Sequence, residues 1–247
     1  MNKPILGIIG GVGPLATAYF MEILIKKTPA VCDQDNMPMI VFNDPQIPDR
    51  TAYILDHSKP NPQPEMTKVA RWLQEAGADY LAIACNTAHY FYDAIKDAVD
   101  IPVVNIMEET SRRISSIAGK GARVGLLATE GTVSSGVFQS YFEQEGLQTV
   151  TPDSDRQKRV MSLIYDGVKA NAPYDPKELL SLAEDLHDRG CDVVVCGCTE
   201  LSVIYQDLMD DSGTQVPGWL FDSLDILADR CVELYQWARK TGGDIQM

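Results

Sequence analysis

Two cysteines stand in matched surroundings. CNTAHY (85–90) and CTELSV (198–203) each open on a thiol, follow a run of small and β-branched apolar residues, and lead into a helical pattern. A thiol placed where a strand ends and a helix begins meets free backbone N–H groups and the positive end of the helix dipole. That setting favours thiolate and offers a pocket to a carboxylate or phosphate. A pair of such thiols, one ionised and one protonated, can serve as base and acid on opposite faces of a carbon acid. Inverting a stereocentre by proton transfer needs such a pair, with donors that stabilise the carbanion-like state.

The neighbouring groups leave alternatives open. His89, four residues after Cys85, can tune the thiol or merely cap and pack. Glu200 can orient an ammonium group, raise the pKa of Cys198 by like-charge proximity, or simply favour a helix's first turn. Asn43 and Asp44 end a strand and can be ligand groups or the turn before Pro45. The other thiols, Cys32, Cys191, Cys196 and Cys231, read as small buried hydrophobes. Cys191, Cys196 and Cys198, even with Cys85 or His89, lack the paired C-x-x-C spacing of zinc sites, so no metal is expected. Gly11-Val-Gly13-Pro-Leu-Ala16 fits a dinucleotide fingerprint, but Pro14 sits inside it and the acidic residue, Asp44, comes too late. No cofactor is expected, and the glycines read as close backbone approach to a small ligand.

An internal repeat supplies the scaffold for both thiols. GIIGGVGPLATAYF (7–20) matches GLLATEGTVSSGVF (125–138), and GADYLAIAC (77–85) matches GCDVVVCGC (190–198). A third match pairs IPVVNI (101–106) with VPGWLF (216–221). Three matches in one order imply a duplicated domain. Apolar runs 5–9, 39–42, 80–84 and 103–106 read as strands in the first half, and 123–128, 193–196 and 218–221 in the second. Helical patterns cover 15–27, 65–76 and 88–99, with Gly77 closing the second as a C-cap. Alternating strands and helices imply parallel sheets covered on both faces. The expected fold is α/β, with two pseudo-symmetric three-layer α/β/α lobes and an active site in the cleft between them. The first lobe spans 1–112 and the second 113–222, with a connection near Ser111–Gly121. The last helix, 223–240, has no counterpart in the first half and is expected to pack back on it. HSKPNPQPE (57–65) reads as a stiff loop that can cover the cleft or simply link Ile54 to the next helix.

Bulk properties narrow the partners. Of the 247 residues, 45% are hydrophobic and 23% charged, which suits a packed globular chain. A net charge of −14 argues against nucleic acid. No stretch approaches the ~18 apolar residues of a membrane helix. Lys3 with ILGIIGGVGPLATA imitates a signal peptide, yet its glycines and its recurrence downstream favour a strand. Six cysteines without disulfide-scaffold density are expected to be reduced, in the cytoplasm.

AIACNTAHY and VVCGCTELSVI resemble the two signatures of the aspartate/glutamate racemases, which work without pyridoxal phosphate. GIIGGVGPLAT, PQIPDRTAYIL, GLLATEGTVSSG and LIYDGVKAN resemble the aspartate branch, so the likeness runs nearly the whole chain. It implies two α/β lobes, commonly a homodimer, and an acidic amino acid as substrate. Carried over, Cys85 and Cys198 are the acid/base thiols, with Cys198 serving the L-enantiomer and Cys85 the D-enantiomer. Asn86, Thr87 and Thr199 would hold the substrate's carboxylate and amino groups. Thr129, the repeat partner of Gly11, would line the same site. Arg50 and Lys169 would meet the side-chain carboxylate, Arg50 with two bonds. Glutamate racemases resemble DSGVGG and GCTH at the positions where this chain has IGGVGP, with Ile9, and GCTE, with Glu200. That places it nearer the aspartate branch, which also includes broad-specificity racemases. Rival readings are a related isomerase or one-cysteine decarboxylase, or a relative that binds an amino acid without turning it over.

Overall fold

The computed structural model describes residues 3–243 and 245. Two compact units emerge: residues up to Ile106 together with those from Leu224 on, and Met107–Ser223. The division falls at 106/107 and not at 112/113, because the supposed connection is a helix.

In the first unit the order is β1 (Leu6–Gly10), α1 (Pro14–Lys27), β2 (Met39–Asn43), α2 (Arg50–Leu55), α3 (Gln63–Glu75), β3 (Tyr80–Ile83), α4 (Tyr92–Lys96) and β4 (Val103–Val104). The strands form one parallel sheet in the order β2-β1-β3-β4. β1 and β3 are wholly buried, as strands of a parallel sheet covered by helices must be. α3 buries Met66, Val69, Ala70 and Leu73, an i, i+3, i+4, i+7 stripe. Met66, Val69 and Leu73 each contribute about 1.5–3 kcal/mol by leaving water. The helix stops at Ala76, and Gly77 follows with φ +97°, a conformation that favours glycine.

The second unit repeats the plan. It runs α5 (Ile106–Ala118, all but its first residue), β5 (Arg123–Leu127), α6 (Glu130–Ser135), α7 (Val137–Gln144), β6 (Gln148–Val150) and α8 (Ser154–Ser162). A π-helix (Leu163–Lys169) follows, then α9 (Pro176–Asp188), β7 (Val193–Cys196), α10 (Thr199–Asp210) and β8 (Leu220–Asp222). Its sheet order is β6-β5-β7-β8, again parallel. α9 buries Leu179, Leu182, Ala183 and Leu186, the α3 stripe 113 residues on.

The repeat reaches side-chain contacts. Gly7 is in register with Leu81, and Gly125 with Val194. A Cβ on Gly7 would lie 2.5 Å from Leu81 and 3.2 Å from Leu73. On Gly125 it would lie 3.0 Å from Val194 and 3.1 Å from Leu186. Both glycines therefore let a helix settle onto its sheet.

Several expectations change. The third repeat slips by two: Val103 and Val104 correspond to Leu220 and Phe221 in sheet register. Residues 106–118 are α5, whose buried stripe of Met107, Thr110, Ser111 and Ile114 is half polar. The Ser111 hydroxyl hides by donating to the Met107 carbonyl at 2.7 Å. α5 follows β4 as α11 (Ser223–Thr241) follows β8, so the last helix does have a counterpart. Within the first unit α11 is tied down by Lys27, whose ammonium reaches Asp225 at 3.0 Å and Asp229 at 2.7 Å. The Tyr80 hydroxyl also donates to the Cys231 carbonyl at 3.1 Å. Among the described residues no helix is long and apolar enough to cross a membrane.

Candidate active site

In an open parallel sheet ligands bind beyond the strands' carboxyl ends, where the chain order reverses. In the first unit that point lies between β1 and β3. Ile9 is in register with Ile83, and Gly11 and Cys85 each stand two residues further on. In the second unit Leu127 is in register with Cys196, and Thr129 and Cys198 each stand two residues further on. The two thiols thus occupy equivalent points of two equivalent sheets.

Cys85 is buried, 5% exposed. Its segment departs from the expected 88–99 helix: Thr87–Phe91 is a 3₁₀ turn, and α4 adds only five residues. His89 accounts for much of this. Its Nδ1–H donates to the Cys85 carbonyl at 2.9 Å, and its Nε2 accepts from the Ile106 N–H at 3.2 Å. Acceptance at Nε2 fixes the proton on Nδ1. Burial pushes the imidazole pKa down to about 4, so the ring is neutral and both nitrogens serve backbone. Of its two open readings, His89 takes the capping one. Asn86 and Thr87 are buried beside the thiol. Arg50 opens α2 behind the N-cap Asp49, whose carboxylate accepts from the Ala52 N–H at 2.8 Å. It is buried, and its Nη1 donates to the Ile47 and Pro48 carbonyls at 3.3 and 3.0 Å. Tyr53 of α2 packs on Phe91, ring centroids 5.8 Å apart, which sets Arg50's helix against the Cys85 segment.

Gly11 has a different reason to be glycine from the one expected. Its φ is +80°, and a Cβ there would lie 2.2 Å from the backbone of Asp44. The close approach is to the end of β2, so Asp44 serves the chain's own packing. The Gly11 N–H donates to the Thr17 hydroxyl at 3.1 Å.

Cys198 is the N-cap of α10, a twelve-residue helix, and is 3% exposed. Its backbone is extended and its carbonyl accepts from the Leu201 N–H at 2.9 Å. The thiol donates to Glu200 Oε2 at 3.0 Å. Glu200 is itself buried, and its Oε1 pairs with Lys169 Nζ at 3.0 Å. Lys169 closes the π-helix and lies over the Tyr165 ring at 5.2 Å. Thr129 is the N-cap of α6, accepting from the Thr132 N–H at 3.2 Å. Thr199 is fully buried.

Sequence reasoning missed Ser202 and Asp222. The Ser202 hydroxyl donates to Asp222 Oδ1 at 2.5 Å, both groups buried. Ser202 stands four residues after Cys198, as His89 does after Cys85, and both tie the thiol segment to the edge strand's end. That shared spacing was the available signal. The remaining thiols sort by burial. Cys191, Cys196 and Cys231 are buried, whereas Cys32 is exposed, against expectation. Burial raises Cys191 above the usual thiol range, and Cys196 well above it with help from Asp222. Among the described residues no group of three or more His, Cys, Asp or Glu is placed to hold a metal ion.

This arrangement gives each sheet a buried thiol at its ligand-binding edge, with polar groups packed around it. A family profile described as Asp/Glu/Hydantoin racemase matches residues 9–231. The broad specificity amino-acid racemase RacX of Bacillus subtilis is 28% identical over 238 residues, covering 93% of this chain and 97% of RacX. The solved structure of Picrophilus torridus aspartate racemase has a TM-score of 0.79 at 28% identity, covering 94% of each chain. A glutamate racemase of Corynebacterium kroppenstedtii is 33% identical over 158 residues, 61% of this chain and 52% of that protein.

Proposed function

The chain belongs to the Asp/Glu/hydantoin racemase family, and on that premise we propose that it interconverts L- and D-aspartate, or a related small amino acid, by proton transfer at Cα. It is an enzyme, an amino-acid racemase independent of pyridoxal phosphate. The observation that carries the finer reading is the repeated thiol: Cys85 and Cys198 each lie two residues beyond the register pair at the sheet's switch point.

One cysteine, as thiolate, takes the α-proton. The electron pair left on Cα spreads into the substrate's carboxylate, which must be held by preorganised donors. The other cysteine, as thiol, delivers its proton to the opposite face. Cys198 is the base toward the L-enantiomer and Cys85 toward the D-enantiomer, and the roles exchange in the reverse direction. Asn86, Thr87 and Thr199 hold the α-carboxylate and ammonium, with Thr129 and the Gly11 backbone at the neighbouring strand ends. Arg50 and Lys169 serve the side-chain carboxylate. The likeness to the aspartate racemase favours aspartate, and the likeness to RacX favours a wider range of small amino acids. A cytoplasmic homodimer belongs to the same reading. Six free cysteines support a reducing compartment, and the family likeness supports the dimer.

The test is chiral chromatography of L-aspartate after incubation with purified enzyme, without pyridoxal phosphate. D-Aspartate is expected to accumulate until the two enantiomers are equal. No D-aspartate, and no inversion across a panel of other amino acids, would leave a binding role in place of catalysis.

A further inference from the structure

In the second unit the thiol meets a buried carboxylate and, through it, a cation. Two residues after each thiol stand Thr87 and Glu200, so the repeat breaks where a carboxylate enters. Glu200 is 2% exposed, and its oxygens are divided between two partners. Oε2 accepts from the Cys198 thiol at 3.0 Å, and Oε1 faces the Lys169 ammonium at 3.0 Å. A carboxylate this deep persists only when paired. Lys169 sits at the end of a seven-residue π-helix, a form that recurs at functional sites. Its side chain keeps 22% of its surface exposed, against 3% for Glu200. Solvent, and hence a ligand, reaches the cation before it reaches the carboxylate.

We infer that Glu200 is a switchable proton acceptor for Cys198, held back by Lys169 and released when an acidic side chain engages Lys169. The inference rests on the proposed function, which gives Lys169 that ligand. In the free protein the proton stays on sulfur, and the charge of Glu200 is balanced by the facing ammonium. When a ligand carboxylate draws Lys169 away, Glu200 is left as a buried anion without it. The proton then moves from Sγ to Oε2: the S–H bond breaks, an O–H bond forms, and Cys198 becomes thiolate beside a neutral acid. Free in water, a thiol and a carboxylate differ by about four pKa units. Loss of a neighbouring cation in a buried site makes a carboxylate a better proton acceptor, which narrows that gap. The thiolate takes the substrate's α-proton, and Cys85 gives its own to the other face. On release Lys169 returns to Glu200, which gives its proton to solvent, and Cys85 recovers one; with D-aspartate the same steps run backwards, Cys85 losing a proton to solvent and Glu200 gaining one. Amino acids without an acidic side chain leave Cys198 protonated. Discrimination then falls on kcat and not on binding alone. Thr87 offers Cys85 no such acceptor, so the device belongs to one thiol.

The ultraviolet absorbance that distinguishes thiolate from thiol tests this without turnover. The probe is 2-methylaspartate, which keeps both carboxylates and the ammonium but has no α-proton. 2-Methylalanine is the partner probe that lacks the side-chain carboxylate. Calorimetry establishes saturation. The expected result is a gain of about one thiolate per chain with 2-methylaspartate and none with 2-methylalanine. The gain should vanish in Cys198→Ser and in Glu200→Gln, which keeps the side chain's shape but cannot take the proton. Lys169→Met should show the thiolate before any ligand is added. An absent gain at saturation, an equal gain with 2-methylalanine, a gain surviving Glu200→Gln, or failure of 2-methylaspartate to bind would each overturn the inference. Racemisation of L-aspartate, measured in parallel, separates the two readings. A racemising enzyme without the gain loses only the switch, whereas absent racemisation strikes the proposed function itself.

Discussion

His89 separates what a residue's position tells from what its contacts tell. Four residues after Cys85, it was legible as a neighbour of the thiol, but not as a tuner or a cap. Both ring nitrogens turn out to hold backbone, which no pattern in CNTAHY announces. The consequence is a pH dependence. The folded-state pKa, about 4, lies below the ordinary ~6.5, so the unfolded chain binds the extra proton between those values. Stability from this group is complete above ~6.5 and falls as the pH drops toward 4. Between about pH 7.5 and 5 it should cost wild type about 2 kcal/mol in urea unfolding. His89→Gln should be less stable at neutral pH yet lose less on acidification. Equal acid losses in the two proteins would show that His89 titrates normally. The thiols were legible by register in the repeat, and their replacement is the sharper chemical probe. Cys85→Ala and Cys198→Ala should each lower the racemisation rate by roughly 10²–10⁴-fold while leaving circular dichroism unchanged. Full rate in either variant would exclude that thiol from proton transfer.

Elements were legible where local and tertiary demands agree. β1, β3, β5 and β7 are short apolar runs that become buried central strands, and the stripes of α3 and α9 fit a helix wherever it packs. The misreadings fall where burial is done by polar or shape-specific groups. α5 hides Thr110 and Ser111, so it reads as a linker. The segment after Cys85 winds as a 3₁₀ turn because His89 reaches back four residues to the Cys85 carbonyl. The π-helix that brings Lys169 to Glu200 has no periodicity of its own in LIYDGVKAN. The repeated glycines give a test of packing. Gly7→Ala would place its methyl 2.5 Å from Leu81 and 2.9 Å from Ala78. Overpacking of that kind should cost about 1–3 kcal/mol in chemical unfolding. Gly125→Ala meets nothing nearer than 3.0 Å and should cost less. The reverse order would mean that the two sheets do not pack their helices alike.

Across the chain, duplication explains why so much could be read. The strand order is the same in both units, and Gly7, Leu73, Leu81 and Cys85 find their equivalents in Gly125, Leu186, Val194 and Cys198. A repeat in register shows up in spacing, whereas a break in it shows only when the side chains are placed. The break is Thr87 against Glu200, and it makes two similar sheets carry chemically unequal thiols. Unequal thiols suit a two-base racemase, which needs one ionised and one protonated when the substrate reacts. With an acidic chain of net charge −14, an acidic substrate would gain nothing from the overall field and would depend on local cations, the role proposed for Arg50 and Lys169. The decisive measurement is where solvent deuterium goes when L-aspartate is racemised in D2O and sampled early, by proton NMR after chiral separation. Two separate bases predict that the D-aspartate formed carries deuterium at Cα while the recovered L-aspartate keeps its proton. Deuterium entering both enantiomers at equal rates would mean one base working on both faces, and would contradict the assignment of Cys85 and Cys198 as a pair.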